Sequence, residues 1–126
     1  MDADEYRRMA EVEQSHWWYR ATRSLLRQFI VTELQEVGRS RPRRFLDAGC
    51  GTGATGAWLS DLGSVIALDS EPEALRLYGE THPEAQLIHG DIAAMDLPND
   101  CVDVALCVTV LYHAEVIDPA KAVREM

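Results

Sequence analysis

The feature that most constrains this chain is an apolar run that ends on alternating glycines: Phe45-Leu46-Asp47-Ala48, then Gly49-Cys50-Gly51-Thr52-Gly53. The first four residues read as a short buried strand, and the glycines allow backbone angles that turn the chain tightly. After the loop, Ala54, Ala57, Trp58, Leu59 and Leu62 recur at helical spacing and stop near Gly63. A strand, a glycine turn and a helix form the opening of a βαβ unit. That unit predicts an α/β fold with a parallel sheet and right-handed crossovers.

The alternation continues downstream. Val65-Ile66-Ala67-Leu68 reads as a second strand ending at Asp69. Ser70-Glu71-Pro72-Glu73 has the form of a capping box with proline in the first turn, and it predicts a helix through Tyr78 that His82-Pro83 breaks. Gln86-Leu87-Ile88-His89 makes a third strand that ends at Gly90-Asp91. From Asp103 to Leu111 the chain is apolar nearly throughout, as a strand buried on both faces should be, and Pro119 opens a last helix. Upstream, residues 16–37 place Trp18, Ala21, Leu25, Leu26, Phe29, Ile30 and Leu34 at helical spacing, with Gly38 as the stop. Residues 2–13 carry a thin apolar stripe and read as a weakly anchored helical arm. The chain thus divides into a helical segment, residues 1–38, and an α/β domain, residues 39–126.

Composition narrows the functional classes. With 126 residues and 47% apolar content the chain has room for one core. No apolar run approaches the roughly 18 residues of a membrane span, and the first residues, MDADEYRRMAEVE, lack a signal peptide's apolar stretch. A soluble, cytoplasmic protein is the expectation. The net charge of −9 is uneven: residues 45–126 hold 14 acidic side chains against Arg76, Lys121 and Arg124. Such a surface repels nucleic acid and anionic lipid, so neither is an expected partner. The basic cluster Arg39-Ser40-Arg41-Pro42-Arg43-Arg44 reads as a solvated linker. Cys50, Cys101 and Cys107 are odd in number and form no C-x-x-C pair, which argues against a disulfide framework or a zinc site; no metal is expected.

In parallel sheets ligands bind beyond the carboxyl ends of the strands. Here those ends carry Gly49 to Gly53, Asp69, Asp91 and the segment Thr109 to His113. The glycine loop would let a ligand approach peptide N–H groups at the start of the following helix, where an anionic group is expected. Asp69 lies 20 residues after Gly49, the spacing at which an acidic side chain accepts from ribose hydroxyls in nucleotide-binding domains. Two ligands remain open at this point, a nicotinamide dinucleotide and S-adenosylmethionine. Asp47 and the acidic surroundings oppose a pyrophosphate and suit a sulfonium cation better. Gly90-Asp91-Ile92 offers a carboxylate for an adenine amino group and an aliphatic side chain to cover the ring.

Residues 45–113 resemble the class I S-adenosylmethionine-dependent methyltransferases of the methyltransferase type 11 group. Leu46-Asp47-Ala48-Gly49-Cys50-Gly51-Thr52-Gly53 is similar to that family's first motif, Ala67-Leu68-Asp69 to its ribose-binding strand end, and His89-Gly90-Asp91-Ile92 to its adenine-binding motif. Asp103 to His113 resembles the fourth-strand motif that lines the methyl-donor pocket, and Glu13-Gln14-Ser15-His16-Trp17-Trp18-Tyr19-Arg20 resembles a leading helix that covers the cofactor as a lid. The resemblance implies a Rossmann-like fold, S-adenosylmethionine as cofactor, and in-line methyl transfer to a small-molecule acceptor. The cofactor-binding residues it implies are Asp47, Ala48, Gly49, Gly51, Gly53, Asp69, Ser70, Asp91, Ile92 and Val108, with Trp17 from the lid.

His113 is the candidate base for the acceptor's proton, with His16 a second; His82 and His89 show no metal spacing. Other readings are a non-catalytic nucleotide-binding remnant of a methyltransferase and a nicotinamide-dependent oxidoreductase. The family's full fold continues through a fifth strand and a closing hairpin, whereas this sequence stops after the fourth strand and the start of a helix. A truncated chain is therefore expected, or one that dimerises or aggregates through an unpaired edge of the fourth or first strand.

Overall fold

The computed structural model describes residues 2–38 and 42–126. Arg39, Ser40 and Arg41 of the basic cluster lie outside the described residues. Two helices lead the chain, α1 (Ala3–Val12) and α2 (Trp17–Val37). Strands β1 (Arg43–Ala48), β2 (Gly63–Asp69), β3 (Gln86–His89) and β4 (Val104–Leu106) follow, with α3 (Pro72–Thr81) between β2 and β3 and α4 (Pro119–Glu125) at the end. The four strands form one parallel sheet in the order β3-β2-β1-β4. Its outer strands are β3 and β4. The first strand, expected as a candidate free edge, lies inside the sheet with partners on both sides.

Register sorts the side chains onto two faces. Phe45 stands beside Val65 and Val104, and Leu46 beside Ile66 and Ala105. On one face Phe45, Val65 and Leu106 pack with Leu59 and with Ile30 of α2, flanked by Leu26 and Leu34. On the other, Leu46, Ala48 and Leu68 pack with Ile92, Ala93 and Ala122 of α4. A third cluster of Ala57, Ala67, Leu75 and Tyr78 seats α3. Strands covered on both sides are why the sequence is continuously apolar there rather than alternating. In α2 the Leu26, Ile30 and Leu34 part of the apolar stripe is turned onto the sheet; Leu25 and Phe29 are exposed.

Four expectations change in detail. Arg43 and Arg44 belong to β1 rather than to a solvated linker: the Arg44 N–H donates to Asp103 Oδ2 at 2.8 Å, and the Arg43 guanidinium reaches the Gly38 carbonyl. The helix expected after the glycine loop is only a 3-10 turn, Ala57–Asp61, because glycines at 53 and 56 disfavour a regular helix. The N-cap of α3 is Glu71 and not Ser70: its carboxylate accepts from the Glu73 N–H at 3.2 Å, with Pro72 in the first turn. Strand β4 ends at Leu106, well short of Leu111, because Thr109 adopts φ +57° and the chain turns away from the sheet.

Cys50, Cys101 and Cys107 are free thiols. Among the described residues no helix is long and apolar enough to cross a membrane. Phe45 is fully buried in the cluster between the sheet and α2. Truncating it removes a ring that four elements pack around, so Phe45→Ala should destabilise the fold by about 3–5 kcal/mol. Urea denaturation followed by tryptophan fluorescence would show this, and a loss under about 1 kcal/mol would place the core elsewhere.

Candidate functional site

The carboxyl ends of the strands open into one cavity of about 630 Å³, within the range that takes a nucleotide-sized ligand. The end of β1 contributes Gly49, Cys50, Gly51 and Thr52; that of β2, Asp69, Ser70 and Glu71; that of β3, Gly90, Asp91 and Ile92. Val108, Thr109, Val110, Tyr112 and His113 come from the turn after β4. The helical arm closes the opposite side with Tyr6 and Met9 of α1 and with Trp18 and Tyr19 of α2.

Asp69 organises this wall. Its Oδ2 accepts from the Gly51 N–H at 2.8 Å and its Oδ1 from the Glu71 N–H at 2.9 Å, so one buried carboxylate joins the glycine loop to the start of α3. The loop is held further by Gly49 and Cys50 N–H groups donating to the Leu68 carbonyl, and by the Gly53 N–H donating to the Cys50 carbonyl. These four donors are therefore spent inside the protein. The expected anion at the loop does not find them, and no regular helix dipole stands behind them.

Gly49, Gly51 and Gly53 all have positive φ. At Gly49 the need is also steric, since a Cβ there would lie 2.5 Å from a Val110 methyl. Gly56 meets a different constraint: a Cβ would fall 2.1 Å from Asp47 Oδ2. Asp47 is 2% exposed, its Oδ2 has no hydrogen-bond partner among the described residues, and it lies behind the loop rather than in the cavity wall. Burial first, and the neighbouring charge of Asp69 second, push its carboxyl up to about 7.

Of the residues expected to touch the cofactor, Gly49, Gly51, Asp69, Ser70, Asp91, Ile92 and Val108 line the cavity, and His113 does so as well. Asp47, Ala48 and Gly53 are set behind it. Trp17 points away and is 72% exposed, while Trp18 takes the place expected of it. Tyr19, which also lines the cavity, shares a face with Leu26 and Ile30, seven and eleven residues on, a phase that could have selected it. His16 caps α2, its Nδ1 accepting from the Trp18 N–H at 3.3 Å, and it is not among the residues that line the cavity. His89 bonds the Ser70 carbonyl at 3.0 Å. Sequence reasoning missed Tyr6, Met9, Thr52, Glu71 and Glu115, whose only shared signal is position in the fold.

The electrostatics are one-sided. Asp69, Glu71, Asp91 and Glu115 line the cavity, and among the described residues no lysine or arginine does. Burial, reinforced by Asp69 and Glu71, pushes the Tyr6 phenol up to about 12, so it stays a neutral donor. A wall of this sign attracts a cation and repels phosphate.

The chain is thus a parallel α/β domain with an acidic cleft at its strand ends and a helical arm across it. The chain belongs to the class I S-adenosylmethionine-dependent methyltransferases: the methyltransferase-domain family matches residues 46–126. It is similar to a malonyl-(acyl-carrier protein) O-methyltransferase of Pectobacterium atrosepticum, 40% identical over 60 residues, which is 47% of this chain and 24% of that one. A probable S-adenosylmethionine-dependent methyltransferase of Mycolicibacterium smegmatis is 28% identical over 114 residues, 90% of this chain and 40% of that one. The fold matches that of S-adenosylmethionine-bound CalS10, an amino pentose methyltransferase from Micromonospora echinaspora, with a TM-score of 0.70 at 24% identity, covering 95% of this chain and 49% of that one. The chain thus spans less than half the length of each of these proteins.

Asp47 gives the site a pH signature. The folded carboxyl keeps its proton up to about pH 7, whereas an unfolded one releases it near 3.8. Between those values the folded state binds more protons, so stability falls as pH rises through the window. The urea midpoint of the wild-type chain should decline between about pH 4.5 and 7.5. Asp47→Asn should remove most of that decline; equal slopes in both proteins would mean that Asp47 titrates normally.

Proposed function

We propose that the cavity holds S-adenosylmethionine and that the protein containing this chain transfers its methyl group in line to a small-molecule acceptor. The observation that carries this reading is the wall itself: four carboxylates and, among the described residues, no lysine or arginine, at the strand ends of a methyltransferase-family domain. The same wall disfavours a nicotinamide dinucleotide, whose pyrophosphate would face Asp69, Glu71 and Asp91 without a counter-charge.

When bound, S-adenosylmethionine supplies an electrophilic methyl group on a positively charged sulfur. Asp69 accepts from the ribose hydroxyls while its backbone donors hold it in place. Asp91, fixed by the Ala93 N–H at 2.8 Å, accepts from the adenine amino group, and buried Ile92 covers the ring. Gly49 lets the backbone come close enough for Val108 and Val110 to close the floor. Tyr6, Trp18 and Tyr19 exclude water from above, which favours displacement over hydrolysis. His113, stacked on Tyr112 at 4.7 Å between ring centres, takes the acceptor's proton.

Titration calorimetry tests the binding step. Dissociation constants on the order of micromolar are expected for S-adenosylmethionine, with Asp91→Ala and Asp69→Ala each weakening binding roughly tenfold or more. Tight binding of NADH without binding of S-adenosylmethionine would overturn the reading. Transfer of labelled methyl groups to a metabolite extract tests the second step, and there His113→Gln should lower turnover by about a hundredfold while leaving cofactor affinity nearly unchanged. Binding without transfer to any acceptor would favour a non-catalytic domain.

A further inference from the structure

Helix α1 forms one wall of the cavity although none of its residues is fully buried. An exposed ion pair, Arg7 Nε to Glu73 Oε1 at 2.7 Å, ties it to α3 and contributes little. Ala3, Tyr6, Met9 and Ala10 are half-buried on one side of it, so apolar burial supplies only part of its docking. A second contact lies in the turn that follows, where Glu13 is 7% exposed, an unusual place for a carboxylate. Its side chain accepts from the Thr52 hydroxyl, in the middle of the glycine loop. The Arg23 guanidinium of α2 donates at 3.1 Å to the carbonyl of Glu13 and at 2.8 Å to the carbonyl of Ala54. One cluster thus fastens the arm, α2 and the loop to one another, with both fastened loop residues in the cavity wall.

We infer that Glu13 is a positioning residue: with Arg23 it latches the N-terminal arm to the glycine loop, so that arm docking and cofactor retention form a single equilibrium. This rests on the proposed cofactor. Neither Glu13 nor Arg23 lines the cavity, so their effect reaches the ligand through the position of Tyr6, Met9 and the Thr52 segment. The latch must open for a ligand to enter or leave between the arm and the loop. Its hinge is the short turn between α1 and α2, where α1 can swing without disturbing the packed face of α2.

The test uses the whole chain and two readouts. In the ligand-free protein, limited trypsin digestion at Arg7 and Arg8, together with amide exchange over residues 3–12, reports whether the arm is docked. Stopped-flow tryptophan fluorescence with S-adenosylmethionine reports how fast the ligand leaves. Glu13→Ala should speed arm cleavage and raise the dissociation rate by roughly tenfold or more, the change expected from losing a buried charged hydrogen bond. Glu13→Gln, which keeps an acceptor for Thr52, should restore both substantially. Arg23→Gln should reproduce the loss if Glu13→Ala fails to fold. Release of the arm without a change in dissociation rate would overturn the coupling, and an arm still protected in Glu13→Ala and Arg23→Gln would overturn the latch. If the wild-type chain binds no S-adenosylmethionine, the proposed function fails, while the proteolysis readout still decides whether the latch holds the arm.

Discussion

Everything at the functional end of this molecule depends on what the Asp69 carboxylate holds. A strand end, a glycine loop and a helix start are three flexible termini, and each would otherwise present unpaired N–H groups to solvent. By accepting from Gly51 at 2.8 Å and Glu71 at 2.9 Å, Asp69 fixes the two loops at one point and leaves a charged group facing the cavity. The Gly90 N–H donates to its backbone carbonyl at 3.0 Å, which brings the third strand end into the same arrangement. The residue suited to receive a ligand's hydroxyls is thus also the one that shapes the surface around them. A structural carboxylate with spare lone pairs is preorganised, and preorganisation reduces the reordering that binding would require.

The second constraint is charge sign. The sequence suggested an acidic neighbourhood led by Asp47, but burial raises that carboxyl to about 7, leaving it only partly ionised at neutral pH. The field in the cleft comes instead from Asp69, Glu71 and Asp91, with no lysine or arginine among the described lining residues. The expectation of an acidic cleft rests on Asp69 and Asp91, which line it, and no longer on Asp47, which does not. Asp47 acts elsewhere, because its carboxylate occupies the space that a side chain at position 56 would need and so keeps the chain after the loop close to β1.

Much of the fold was legible in the sequence because the strands are short, apolar and punctuated. Gln86–His89 and the last helix at Pro119 fall where the pattern places them, and Gly38 ends α2 with φ +77°. The pattern failed where local composition and tertiary geometry disagreed. Ala54 to Leu62 has helical spacing, yet Gly53 before it, Gly56 within it and the carboxylate behind Gly56 leave only a 3-10 turn. Asp103 to Leu111 is apolar nearly throughout, but its second half lines a cleft and turns away at Thr109 instead of extending the sheet. An apolar run reports burial, and burial against a ligand cavity has the same signature as burial in a sheet.

The site was legible wherever a single strand end supplied its residues and obscure wherever a distant element did. Gly49, Asp69 and Asp91 each stand at the end of their own strand, so order along the chain located them. Tyr6, Met9 and Glu13 reach the same region from a helical arm whose apolar stripe is thin, and no local pattern links residue 13 to residue 52. Only the fold brings a carboxylate with no evident local purpose against the hydroxyl of a glycine loop. A buried acid in an otherwise polar arm is costly unless it is satisfied, and here its satisfaction requires the arm to be docked. Part of the binding surface therefore has the stability of a detachable helix rather than that of the sheet, so the cleft is closed by an element whose own docking equilibrium is local.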